Sequence, residues 1–184
     1  MTSKDESLRS FPRLETHRLV LREISLADAQ AILHNFSDEE VTKWFFPHPF
    51  TEMHQAEQII REFRDKFDAG QGITWGICLQ GESLVIGTCG FEHFEQGDAG
   101  EIGFDLAKDW WGQGLMHEAL HAILTYGFEH LALRRIEADT YCTNLRSIAL
   151  LAGLGFQVHS VENDSCVYTL ERESWQIDPK ASSR

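Results

Sequence analysis

Two overlapping stretches of this sequence have residue types and spacing that suit chemistry. Trp111-Gly112-Gln113-Gly114 is a glycine-bearing turn that leads into an apolar-periodic segment. A glycine turn at a helix start leaves backbone N–H groups free and adds the positive end of the helix dipole, which together favour an anion such as a pyrophosphate. A bare strand-to-helix connection with no ligand uses the same residues. The dinucleotide fingerprint does not fit, because it needs G-x-G-x-x-G and only Gly112 and Gly114 are here; the P-loop fails because no Gly-Lys-Ser/Thr follows. Directly downstream, His117-Glu118-Ala119-Leu120-His121 is a literal H-E-x-x-H. Four apart on a helix, the two imidazoles can reach one zinc ion with Glu118 as base. Against a zinc metalloprotease, no third ligand stands at the usual downstream spacing, and the apolar stripe leaves both histidines on a different face.

The elements that must position these residues are legible from periodicity. Residues 101–106 alternate, with Ile102, Phe104 and Leu106 on one face of a strand, and from Leu115 the apolar spacing changes to that of an amphipathic helix. Upstream, 16–24 reads as a strand, and Ser25 with Asp28 opens a helix through Phe36. Trp44-Phe45-Phe46-Pro47-His48-Pro49 breaks the pattern, either flanking a binding site or closing the core under a loop. Thr51 caps a longer helix carrying Ile59, Ile60, Phe63 and Phe67, which Gly70 ends. Residues 74–79 and 84–94 are strands joined at Gln80-Gly81-Glu82, and Glu95-Gln96-Gly97-Asp98 turns into the central strand. Residues 135–141 read as a strand, 144–154 as a helix ended by Gly155, and 158–162 with 167–171 as a final strand pair. The order is β-α-α-β-β-β-α-β-α-β-β, with no repeat or linker.

A chain of 184 residues suits one domain, and 42% hydrophobic residues without a membrane-length apolar run suit a soluble protein. The start, MTSKDESLRSFPR, has no apolar h-region, so the cytoplasm is the expected compartment and the sequons at Asn35 and Asn163 are not read as glycosylation sites. Cys78, Cys89, Cys142 and Cys166 contain no C-x-x-C and read as reduced core residues. A net charge of −13 disfavours nucleic acid and anionic membranes and favours a cationic partner.

With these residues in this order, the chain resembles the GNAT superfamily of acetyl-CoA-dependent N-acetyltransferases, and within it the ribosomal-protein N-terminal acetyltransferase (RimJ/RimL-like) branch. The matching pieces are the run from Leu14 to Arg22, Ile86-Gly87, Gly90-Phe91, Glu101-Ile102-Gly103-Phe104, Trp110-Trp111-Gly112-Gln113-Gly114, Glu118-Ala119-Leu120, Asn144-x-x-Ser147 and Leu154-Gly155-Phe156. The resemblance implies a single α/β (α+β) domain at 14–175, between tails at 1–13 and 176–184, with a mixed central sheet of about seven strands flanked by about four helices. It also implies transfer of an acetyl group to a primary amine, most simply the α-amine of a basic protein N-terminus, by direct attack on the thioester. A non-catalytic acyl-CoA sensor on the same fold is the alternative. A monomer and a homodimer are both compatible, and no metal is implied.

By position, the family's Q/R-x-x-G-x-G/A pattern falls on Trp111, Gly112, Gln113, Gly114, Leu115 and Met116. Their amides, with His117, would hold the pyrophosphate. Trp111 and Met116 depart from the pattern, and Met116 is bulky enough to crowd the phosphates. The pantetheine would run along Phe104, Asp105 and Leu106, pairing with backbone groups, and Asn144 would touch the cofactor near its thiol. For Asn144 and Ser147, helix capping is the competing role. Glu101 is the implied base, with Asp139 as the alternative. Where many members carry a tyrosine acid, this chain has Leu151, and Ser147 and Tyr141 are the nearest hydroxyls.

Overall fold

The computed structural model describes residues 10–45, 47–95 and 97–175. Phe46, Gln96 and the parts of the expected tails at 1–9 and 176–184 lie outside the described residues. In chain order the elements are β1 (Leu14–Glu15), β2 (Leu19–Glu23), α1 (Ala29–Ser37), α2 (Glu39–Thr42), α3 (Met53–Asp68), β3 (Ile73–Leu79), β4 (Gly87–Phe94) and β5 (Ala99–Leu106). They continue with α4 (Leu115–Glu129), β6 (Arg135–Tyr141), α5 (Leu145–Gly153), β7 (Gln157–Glu162) and β8 (Ser165–Glu171). The strands form one sheet in the order β1-β2-β3-β4-β5-β6-β8-β7. Every pair is antiparallel except β5 with β6, whose parallel pairing requires a crossover, and α4 supplies it.

Strand alternation decides what each helix covers. Leu19, Leu21, Trp75, Ile77, Phe91 and Ile102 share one apolar core with Leu120, Ile123 and Leu124 of α4. These three α4 side chains are 0% exposed, and each such burial contributes about 1.5–3 kcal/mol. On the opposite face, Ile24, Cys78 and Val85 pack against Ile32 and Phe36 of α1 and Ile60 of α3. Gly127 lets α4 lie close to the sheet, since a Cβ there would stand 2.6 Å from Phe91 Cζ. Among the described residues no helix is long and apolar enough to cross a membrane.

The structure departs from the sequence expectation in several places. Among the described residues the sheet has eight strands: the expected strand at 16–24 is shortened to Leu19–Glu23 by a corner in which Leu19 N donates to Thr16 Oγ1 at 2.9 Å, and Leu14–Glu15 before that corner pairs with β2 as an added strand. The added helix α2 is four residues long, with Asp38 accepting from Glu40 N, and is too short to show periodicity. The N-cap of α3 is Glu52 rather than Thr51, because Gln55 Oε1 accepts from the amides of both residues and the helix starts after them. Cys142 and Cys166 form a disulfide instead of staying reduced. The antiparallel register of β6 with β8 sets Tyr141 opposite Ser165, which brings the two cysteines to a Cα–Cα distance of 5.3 Å across 24 residues of sequence. Cys78 and Cys89 are free and buried.

Candidate functional site

The site begins where the sheet opens. β5 and β6 share three rungs, Ala99 with Arg135, Gly100 with Ile136 and Glu101 with Glu137, although β5 runs on to Leu106 and β6 to Tyr141. Past Glu101 the two strands part, while β5 stays paired to β4 along its other side. A cavity of about 1190 Å³ occupies this region. β5 and β6 line it, as do the first turns of α4 and α5 and the aromatic side chains Phe36, Trp44, Phe45 and Phe63. Phe45 is 46% exposed, and Trp44 packs on Tyr141 with ring centroids 5.8 Å apart.

At one end stands the glycine turn. Gly112 and Gly114 have φ of 73° and 74°, left-handed values that favour glycine, and the space where a Cβ of Gly112 would project is open to 4 Å. Glu118 N donates to Gly114 O at 3.1 Å, so the amides of Leu115, Met116 and His117 have no carbonyl ahead of them in the helix. The turn is braced from three sides. Trp111 Nε1 donates to Leu106 O at 2.7 Å, Arg18 Nη1 donates to Gln113 O at 2.9 Å, and the Arg146 guanidinium lies 4.2 Å from the centroid of the Trp111 ring. Met116 is 8% exposed and packs into the core, so the crowding expected from the sequence is relieved by where its side chain goes.

The H-E-x-x-H motif is otherwise employed. Glu118 accepts from Thr16 Oγ1 at 2.6 Å, from Arg18 N at 2.7 Å and from Arg18 Nε at 2.6 Å. Burial opposes its ionisation, but these bonds from Thr16 and Arg18 outweigh burial and hold the carboxyl below the usual range. The ring of His121 packs on Trp175 at 4.8 Å, and His117 is exposed. Among the described residues no three His, Cys, Asp or Glu side chains gather as metal ligands.

At the start of α5, Asn144 is 7% exposed and caps the helix, its Oδ1 accepting from Ser147 N at 3.3 Å. Both residues line the cavity. Leu151 is 0% exposed and offers no proton, and Tyr141, 48% exposed, is not among the cavity-lining residues.

Glu40, Glu62 and Glu92 line the same cavity, as do three carboxylates on β5 and β6. Burial raises the pKa of Glu101, opposed by His93, whose Nε2 is 3.6 Å away, and reinforced by the charges of Glu92, Asp139 and Glu137. Asp139 accepts from Ser165 Oγ. Asp105, named from the sequence for its backbone, proves notable for its side chain: it is 8% exposed, and Thr88 Oγ1 donates to its Oδ1. Burial pushes its pKa up to about 7 against the lowering effect of Thr88. The one signal in the sequence was an acid between Phe104 and Leu106. The structure thus brings Glu101, Phe104, Asp105, Leu106, Trp111, Gly112, Gly114, Leu115, Met116, His117, Asn144 and Ser147 to one cavity, while the side chain of Gln113 turns back to Asp109 O at 3.2 Å.

Residues 18–157 match the acetyltransferase (GNAT) domain family. The sequence is 40% identical over 152 residues to the uncharacterized N-acetyltransferase p20 of Bacillus licheniformis, covering 82% of this chain and 85% of that protein. It is 30% identical over 173 residues to the [ribosomal protein uS5]-alanine N-acetyltransferase of Escherichia coli, covering 89% of this chain and 86% of that one. In fold it is similar to the crystal structure of a GNAT-family acetyltransferase from Bacillus anthracis, with a TM-score of 0.77, 20% identity and coverage of 88% and 99%. It is also similar to RimL, the ribosomal L7/L12 alpha-N-protein acetyltransferase solved with coenzyme A, with a TM-score of 0.76, 19% identity and coverage of 87% and 98%.

Proposed function

The chain belongs to the GNAT acetyltransferase family and is an N-acetyltransferase related to the ribosomal-protein enzymes, and from that premise we propose that it moves an acetyl group from acetyl-CoA to the α-amine of a basic protein N-terminus. One observation carries the cofactor reading. The amides of Leu115, Met116 and His117 have no helical acceptor, and they sit behind left-handed glycines at the end of a cavity that opens where β5 and β6 part. Free amides at a helix N-terminus are an anion site, and they fit a pyrophosphate. Beyond Glu101 β5 has no β6 partner, so backbone groups from Phe104 to Leu106 stand beside the slot for a pantetheine amide, with Leu106 O also accepting from Trp111 Nε1, and Asn144 stands at the facing helix start. Bound acetyl-CoA supplies an activated acyl carbon with a thiol leaving group.

An acceptor ammonium must lose a proton before it can attack, and the carboxyl at the sheet's parting point is Glu101, with His93 Nε2 3.6 Å away. Its raised pKa makes it a stronger base than an ordinary glutamate. Ser147 lines the cavity at α5, as do Thr140 and Thr143, and is the hydroxyl we assign to the leaving sulfur, since Leu151 cannot donate. Two considerations support a basic protein acceptor: the net charge of −13, and the named substrate of the E. coli relative, a ribosomal protein's alanine. Such an acceptor is met in the cytoplasm. The experiment is to titrate acetyl-CoA against melting temperature, then to assay a basic alanine-initiated peptide, hexylamine and spermidine as acceptors. A rise of several degrees with transfer to the peptide supports the reading; no rise and no transfer to any amine contradicts it.

A further inference from the structure

Asp105 is the only carboxylate buried among the described residues. It pairs across β4 and β5 with Thr88, which binds its Oδ1, and its Oδ2 has no hydrogen-bond partner among the described residues. Leaving a buried polar oxygen unpaired costs about 1–3 kcal/mol, and more for a charged group. Such a group in a folded protein calls for a structural or functional account. The neighbouring rung on the same sheet face is Thr74-Gly90-Gly103, so the strands beside Asp105 carry small side chains, and the Glu92 side chain lies over Gly103. Phe36, Trp44 and Phe63 line the same cavity. Asp105 also lies four residues past the final β5–β6 rung at Glu101. Its backbone therefore flanks the slot assigned to the pantetheine arm, and its side chain belongs to the cavity floor.

We infer that Asp105, held by Thr88, is the acceptor-binding carboxylate: its free Oδ2 takes a primary ammonium and sets the nitrogen against the thioester slot. This assignment rests on the acetyl-CoA reading above and adds to it the group that recognises the acceptor. It divides the work between two carboxyls on one face of one strand. Glu101 and Asp105 are separated by ~13 Å of strand, so Asp105 positions the amine and the proton reaches Glu101 through water. An arriving cation also favours the ionised form of Asp105, whose pKa in the free protein is about 7. The group recognised is the cationic primary amine itself, as a protein's α-ammonium presents it.

The test separates binding from turnover by loading the protein with CoA, which carries no acetyl group, and titrating the fastest acceptor of the panel by calorimetry. Asp105→Asn should weaken amine affinity at least tenfold and raise KM to match, with kcat changed by less than about threefold and the acetyl-CoA melting shift intact. Thr88→Val should weaken amine affinity less, with Thr88→Ser restoring it. Glu101→Gln should show the reverse pattern, an unchanged amine affinity and a lowered kcat. Wild-type amine affinity in Asp105→Asn overturns the assignment; if that variant does not fold, wild-type amine affinity in Thr88→Val overturns it instead. An absent acetyl-CoA shift in the wild type, seen before any amine is added, overturns the cofactor reading itself.

Discussion

Glu101 and Glu137 form the last rung between β5 and β6. Two like charges directly opposite are unfavourable in a sheet, and here they stand where the strands separate. The pairing ends at a carboxyl whose proton affinity is raised by burial and by neighbouring acids, and the space beyond it is the cavity. Sheet opening and base placement are thus one feature of the fold.

Gly114→Asp should abolish the acetyl-CoA melting shift, because it sets a carboxylate against the pyrophosphate position. Gly114→Ala is the control for backbone strain, since φ is 74°. It should lower the melting temperature yet retain part of the shift, as measured by thermal denaturation with and without ligand.

Arg18 ties the turn to Glu118, and Arg18→Met should loosen both. With the arginine side chain 41% exposed, solvent screening limits the stability loss to about 1 kcal/mol. Because the folded-state pKa of Glu118 is lowered, its contribution is present above the ordinary Glu range and lost as pH falls through the folded value. The difference in stability between variant and wild type should therefore shrink on acidification, a trend that chemical denaturation across pH can follow. Acetyl-CoA affinity should also fall, by roughly tenfold, since Gln113 O loses its donor.

Asp105 has the opposite sign. Its folded-state pKa is about 7 against an ordinary value of 3.8, so the folded state holds a proton that the unfolded chain releases. Its stabilising contribution is complete below the unfolded value and is lost as pH rises through about 7. Asp105→Asn should flatten the pH dependence of the melting temperature over that window and gain most over wild type at mildly alkaline pH.

Much of this fold was legible in the sequence, and the misses share a cause. The glycine turn could be read because a left-handed φ selects glycine, and α4 because its apolar stripe keeps helical spacing. Relations that depend on register across the sheet could not be read. The Thr88–Asp105 pairing spans 17 residues, and the β4–β5 register shifts between Phe91 and His93. The early parting of β5 from β6 and the disulfide between Cys142 and Cys166 likewise follow from long-range pairing, which leaves no local periodic mark. Glu118 in H-E-x-x-H shows the converse, a local motif whose meaning is set by Arg18 a hundred residues away.

Glu101→Gln should cut kcat by a factor on the order of 10²–10⁴ at neutral pH, with partial recovery at alkaline pH where the amine is already neutral. Ser147→Ala should cost less, because a thiolate with a pKa near ~8.5 leaves without much help. Initial rates across pH decide the matter. Wild-type turnover in Glu101→Gln together with a collapse in Asp139→Asn moves the base to β6.

The most direct measurement is mass spectrometry of a basic alanine-initiated peptide after incubation with the protein and isotopically labelled acetyl-CoA. The expected result is one labelled acetyl group on the peptide's α-amine, absent when Gly114→Asp replaces the wild type. An unlabelled peptide, with hexylamine and spermidine unlabelled as well, contradicts the assignment of this chain as an acetyl-CoA-dependent N-acetyltransferase.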